Sequence, residues 1–273
     1  MIVQNADAGA EHFVITMQQH TALSGLFAAH FGNAQFEPIA PRELMLHVIT
    51  HHDVGWAELD AKALRDPATG LPYNLVQTPF DLIVETSVKS ANANGERHPY
   101  CELMSSMHSW GLYNGRYGMS DKVLLNGLAD ANRALADRML AGEVARQKRL
   151  QEALGADQET AAWIEESHLF QNYKQLQFFD TLALYFNCQP EGKRERSSFS
   201  HVPLNGDTDT TVTVEPMGPG VYGFDPFPFD ETDLEITFAG RYMAPVSAGD
   251  TVQAVLEQAP VALQSVRIVP LQA

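Results

Sequence analysis

The stretch NYKQLQFFDTLALYF, residues 172–186, reads as the heart of one amphipathic helix. Leu169, Tyr173, Leu176, Ala183 and Leu184 recur at helical spacings, and Asp180 falls on the same apolar stripe. Burying an unpaired carboxylate is prohibitive, so Asp180 needs a cation, a proton or a metal ion. Two partners are open: an arginine, giving a structural ion pair, or a metal held jointly with His20, His52 and Asp53.

Upstream of this helix the same periodicity recurs. QQHTALSGLFAAHF places His20, Leu23, Ser24 and Phe27 on one stripe, which puts His20 inside. PRELMLHVITHHD predicts a helix begun by Pro41 and running to about Asp53, where Gly55 interrupts it. Helices are expected over about 80–91, 99–110 and much of 121–154, the last with Gly155 as its C-cap. The long Gly- and Pro-rich loop between Trp56 and Phe80 is expected to wall a pocket. A short hairpin, MIVQ and HFVITM, opens the chain. From Ser197 the texture turns to period-two, β-branched runs such as TVTVEP and DLEITFAGRYM. The expectation is a mostly α protein, a helical domain over 1–196 with an N-terminal hairpin, carrying a small C-terminal antiparallel β layer over 197–273. The linker CQPEGKRERSSF between them reads as a solvated turn.

Eighteen Lys and Arg against 34 Asp and Glu give a formal charge of −16, which argues against nucleic acid as a partner. No run is long and apolar enough to suggest a membrane span. MIVQNADAGAEHF lacks a basic start and an apolar core, and Cys101 and Cys188 sit in apolar surroundings, so a cytoplasmic protein is expected. There is no Gly-rich phosphate loop, no G-x-S-x-G elbow, no CxxC pair and no HExxH.

The chemistry therefore rests on histidines and acids. In HVITHHDVGW, residues 47–56, Leu44, Val48 and His52 are spaced by four, so His52 continues the apolar face. His47 and His51 form a second, solvent-facing row whose i, i+4 spacing is a lesser candidate for zinc. Neighbours inside a helix point ~100° apart, so Asp53 can join His52 only at the helix end, with Gly55 expected to let the backbone turn. His108, in SMHSWGLY, shares a face with Met104 and Gly111; a satisfied core histidine and a ligand are both open readings. Arg116 is the cation best placed to offset an anionic substrate.

A histidine on an early helix, a His-Asp doublet at a helix end, a histidine on a later helix and a late aspartate resemble the layout of the HD superfamily of metal-dependent enzymes. HHDVGWAELD, DPATGLP, SMHSWGLY, NYKQLQFFDTLALYF and DPFPF together resemble an uncharacterised family of HD-like proteins, a domain of unknown function. That family's pattern carries an acid where this chain has Val54, and often a carboxylate at His51, so a second-metal role at position 54 is in doubt here. The resemblance implies an HD-like helical bundle holding one or two divalent ions (Fe, Mn, Zn, Ni or Mg). His20, His52, Asp53 and Asp180 would bind the first ion, His108 a second ion or the substrate, and Arg116 a phosphoryl oxygen. The implied activity is hydrolysis of a small phosphorylated or otherwise anionic metabolite, with Asp53, His108 and Arg116 as catalytic groups. Two rivals stand: an HD-type di-iron oxygenase, and a non-catalytic scaffold that binds a ligand or partner through an exposed GFDPFPF. Homo-oligomerisation is left open.

Overall fold

Thr16 fixes the start of the first helix: its hydroxyl accepts the Gln19 N–H at 3.1 Å, and the Gln19 side chain accepts the Thr16 N–H at 2.9 Å. From there the protein, a computed structural model described over residues 1–7, 10–247 and 249–271, runs through nine α segments, besides five short 3-10 turns, among the described residues. They are α1 (Met17–Ala29), α2 (Arg42–His51), α3 (Ala57–Lys62), α4 (Phe80–Arg97), α5 (Pro99–Tyr113), the single turn α6 (Gly115–Gly118), α7 (Asp130–Gly155), α8 (Glu166–Cys188) and α9 (Val252–Gln258). The strands are β1 (Ile2–Val3), β2 (His12–Ile15), β3 (Ser197–Pro203), β4 (Asp209–Gly218), β5 (Val221–Asp225), β6 (Leu234–Met243) and β7 (Val261–Pro270).

All seven strands form one sheet in the order β1-β2-β6-β7-β5-β4-β3, antiparallel except for the parallel β5–β7 pair. This overturns the mostly α reading with a small C-terminal antiparallel layer. The sheet is mixed and curls as a half-barrel, and the fold is mixed α/β. The N-terminal hairpin is the edge of that sheet, since β2 pairs with β6 in the register Phe13↔Tyr242. Both reasons are physical. A four-residue strand such as HFVI reveals its period but not its partner, and the partner lies more than 220 residues away.

The core joins the sheet to the helices. Phe27 of α1 stacks on Phe186 of α8 at 5.7 Å and meets Phe229 at 6.2 Å, and Phe186 abuts Tyr222 of β5 at 4.9 Å. The GFDPFPF rings thus serve the interior, with Phe224 and Phe229 buried. The linker is also less wet than its composition suggests. Arg194 is buried, donating to the carbonyls of Gln189 and Phe186, to the Tyr222 hydroxyl and to Gln264, with its guanidinium over the Phe186 and Tyr222 rings. The loop after Trp56 holds α3 and then docks on the β1–β2–β6 edge. Asn74 accepts the Val3 N–H, Gly70 accepts the Val246 N–H, and Ala63 and Leu71 join Val14 and Met243 in a satellite core. It braces the sheet edge instead of walling the cleft described below.

Candidate metal centre

Four helical segments deliver the polar groups to one point. α1 presents His20, α2 ends beside His52, α5 carries His108, and α8 carries Asp180. α2 stops at His51, and Asp53 has already left the helix at φ −111° and ψ 24°, which frees it to share a centre with its neighbour. Gly55 does not supply that turn, since its φ is not positive. It supplies a close approach: a Cβ there would lie 2.1 Å from the Thr86 carbonyl oxygen and 2.6 Å from the Ser90 nitrogen of α4.

His20 Nε2 lies 3.1 Å from Asp180 Oδ1, and His52 Nε2 lies 3.8 Å from the same oxygen and 3.6 Å from Asp53 Oδ2. Donor atoms of His20, His52 and Asp180 all fall within 4.8 Å of one another, and so do those of His52, Asp53 and His108. The His52 ring is edge-on to His20 at 5.8 Å and to His108 at 4.8 Å. His20, His52, His108 and Asp180 are buried; only Asp53 reaches toward solvent, its side chain 17% exposed. Arg116 Nη2 stands 4.0 Å from Asp180 Oδ2, beyond hydrogen-bond range, on a side chain one quarter exposed. The arginine therefore does not clamp Asp180 as a dry ion pair.

The outer hydrogen bonds orient the rings. His52 Nδ1 donates to the Ile49 carbonyl at 2.8 Å, and His20 Nδ1 donates to Asn187 Oδ1 at 2.9 Å, so both Nε2 atoms face the carboxylates, that of His20 within hydrogen-bond reach of Asp180 Oδ1. His52 Nε2 has no hydrogen-bond partner. Lone pairs and carboxylate oxygens converging in a buried space repel one another unless a cation lies among them. Without an ion a proton takes that place. Burial opposes charge on His52, but Asp53 and Asp180 outweigh it and raise its pKa to about 9. Burial likewise opposes the charge on Asp180, and the imidazoles of His20 and His52 hold its carboxyl well below the usual carboxylate range. A divalent ion suits the same nitrogen and oxygen donors, and the orphaned Nε2 is where it would bind.

His108 differs. Its Nδ1 accepts from Gln177 Nε2 at 2.8 Å, which leaves its proton on Nε2, and burial together with His52 lowers its pKa to about 4. It is a neutral donor pointing into the centre. Sequence reasoning missed Gln177 and Asn187, although both lie on the Asp180 face of α8, three residues before it and seven after. Tyr173, seven before, was legible as part of that face; its hydroxyl, buried without a partner, occupies the space that Gly111 leaves, 1.9 Å from where a Cβ would be.

The solvent-facing pair is spent locally. His51 Nδ1 donates to the His47 carbonyl at 2.8 Å, and the two rings stack at 4.5 Å. The thiols of Cys101 and Cys188 are pushed up by burial to about 12 and about 11, far from the thiolate a nucleophile needs. No helix among the described residues is long and apolar enough to cross a membrane.

No curated protein and no solved structure matches the chain. Residues 1–244, which include all six strands before β7 and every member of the cluster, match a family of proteins of unknown function, DUF3891, and the chain belongs to that family.

Proposed function

We propose that the protein is a metal-dependent hydrolase of the HD type acting on a small phosphorylated or otherwise anionic molecule. The observation that carries this reading is His52 Nε2, an orphaned ring nitrogen in a buried nest of two more imidazoles and two carboxylates. His20, His52, Asp53 and Asp180 would hold the ion. A divalent ion bound there lowers the pKa of water to roughly 7 and offsets charge developing on a phosphoryl oxygen.

The chain's own groups supply the rest. Asp53, the one carboxylate of the centre whose side chain reaches solvent, would take the proton of an attacking water. His108 keeps a proton on Nε2 and donates it in a hydrogen bond to the substrate, and Gln177 holds that tautomer. Arg116 steadies an anionic oxygen.

The test is elemental analysis of purified protein, then assay of p-nitrophenyl phosphate and bis(p-nitrophenyl) phosphate with Mn, Mg, Zn, Ni or Fe. Chelator-sensitive hydrolysis that Asp180→Asn abolishes supports the reading; a metal-free protein that takes up no ion refutes it. Three histidines and two carboxylates also suit iron. Two irons per chain with a visible absorption band would move the assignment to dioxygen chemistry.

A further inference from the structure

We infer that the cleft beside the cluster binds a small phosphate ester with a hydroxylated body, a polyol phosphate, whose phosphate is held by Arg116. The inference deepens the hydrolase reading and rests on it for the reacting end. The cleft, about 280 Å³, lies between α8, strand β3 and the segment that follows α5. It meets the cluster through two shared residues, Arg116, 4.0 Å from Asp180, and Gln177, hydrogen-bonded to His108.

Its charge runs against that of the whole molecule. In a chain of net charge −16, Arg116, Lys122 and Lys174 all line this one depression, with the His201 ring beside them. Asp209 answers Lys174 at 2.7 Å and lies 3.7 Å from His201. Among the described residues Lys122 has no carboxylate in salt-bridge range, and Arg116 has only Asp180 at its limit. Two cations not neutralised by the fold beside a reaction centre are the provision an anionic ester needs.

The backbone that aims Arg116 is strained. All four residues of α6 have positive φ: Gly115 at 59° and Gly118 at 86° enclose Arg116 at φ 51°, ψ 50° and Tyr117 at φ 57°, ψ 36°. Consecutive side-chain-bearing residues in the left-handed region persist only where the surroundings enforce them, and such strain gathers at functional sites. Here Tyr117 is the enforcement. Its ring meets Trp110 at 4.5 Å, Tyr173 at 5.0 Å and Phe170 at 5.3 Å, and its hydroxyl donates to Gln147.

The body of the ligand follows from the walls. Gln177, 5% exposed, lies in the cleft lining, and its Oε1 is a buried acceptor with no partner. Ser200 of β3 adds a hydroxyl along the same trough, while those of Thr181 and Ser198 are bonded to the Gln177 and Phe178 carbonyls and to Thr213. Phe178 and Phe199 meet each other edge to face at 5.7 Å, so they do not form a parallel slot for a flat base. The volume, about 280 Å³, falls just below the ~300–1,000 Å³ range of small-molecule sites, which selects a single sugar or shorter polyol.

The experiment is calorimetric titration of the full chain, both chelator-treated and loaded with Mn²⁺, with a hexose 6-phosphate, the same hexose without phosphate, inorganic phosphate and adenosine monophosphate. The expected result is that the hexose phosphate binds at least about tenfold tighter than the hexose, the scale of one charge-assisted contact, and tighter than adenosine monophosphate. Arg116→Gln and, as an exposed variant that does not touch the strained turn, Lys122→Gln both weaken it. Equal affinity for hexose and hexose phosphate, a preference for the nucleotide, or unchanged affinity in both variants overturns the assignment. Metal content is measured on the same samples. Manganese uptake without hexose phosphate binding overturns the cleft alone, and Arg116-dependent binding without uptake overturns the metal reading alone.

Discussion

Stripped of metal, the protein should lose stability as pH rises from 6.5 to 9, and bound metal should abolish that loss. The His52 pKa in the folded chain is about 9 against an ordinary 6.5, because the charges of Asp53 and Asp180 outweigh burial. A base whose folded pKa is raised contributes stability fully present below its unfolded pKa, and that contribution is lost as pH climbs through the folded value. At ~1.4 kcal/mol per pH unit the shift corresponds to about 3 kcal/mol. For a chain of this size that is roughly 6–12 °C in Tm at 2–4 °C per kcal/mol. His108 works in the opposite sense and in another window. Burial, with His52, lowers it to about 4, so its contribution is present above 6.5 and lost as pH falls toward 4. The metal-free protein should therefore be most stable near pH 6.5. A divalent ion bound at His52 Nε2 would take the place of its proton, so its stabilising effect should grow with pH. The assay is thermal unfolding in chelator and in Mn²⁺ across pH 4 to 9.5, with His52→Gln as the control that removes the alkaline decline. A metal-free Tm flat between 6.5 and 9, or an alkaline decline that His52→Gln leaves untouched, would refute the electrostatic account of the centre.

Asp180→Asn keeps the shape of the side chain while removing a ligand charge shared by His20 and His52, and should weaken metal uptake by more than the ~10–100-fold that outer-shell changes produce; elemental analysis after dialysis reads it, with circular dichroism as the check on folding. Gln177→Leu removes the hydrogen bond at His108 Nδ1 and should lower kcat about tenfold or more with metal content intact, whereas loss of bound metal would make His108 a ligand. Gly111→Ala drives a methyl into the Tyr173 hydroxyl and should destabilise by ~1–3 kcal/mol in urea unfolding, an effect that Tyr173→Phe in the same chain should relieve.

The helices were legible because their faces obey one local rule. Apolar residues at i, i+3 and i+4 place α1, α2 and α5 and the C-terminal ends of α7 and α8 to within a few residues, although α7 and α8 begin only at Asp130 and Glu166, and the same rule puts His20, His52 and Asp180 inside. The sheet was not, although most of its strands were; β3, Ser197–Pro203, begins inside the stretch read as a solvated linker. β6 and β7 alternate clearly, with inward Leu234, Ile236 and Phe238 on β6. Which strand lies beside which is decided by core contacts between distant segments, such as Phe13 against Phe238 at 6.3 Å. Arg194 shows the same limit in one residue. Its neighbours Lys193, Glu195 and Arg196 are solvated charges, and only the arrival of Tyr222 and Gln264 from the sheet makes its burial tolerable.

Burial flagged Asp180, His20 and His52 on core stripes of separate helices but left the partner of Asp180 open between an arginine and a metal, and only the resemblance joined His108 to them. The residues that tune the cluster left a fainter trace. Gln177 and Asn187 are amides on the Asp180 face, and an amide on a core stripe costs far less than a charge, so nothing compelled a functional reading. Arg116 stood out only as a nearby cation; its aim depends on four residues with positive φ, two of them glycines. The glycines at 115 and 118 flag a turn, but the handedness of Arg116 and Tyr117 between them is imposed from outside, by Trp110, Phe170 and Tyr173 closing on the Tyr117 ring. The identity of the cluster's donor groups thus sits on side chains that local pattern places, while their orientation is stored in tertiary contacts, and the cleft beside them belongs to the second kind.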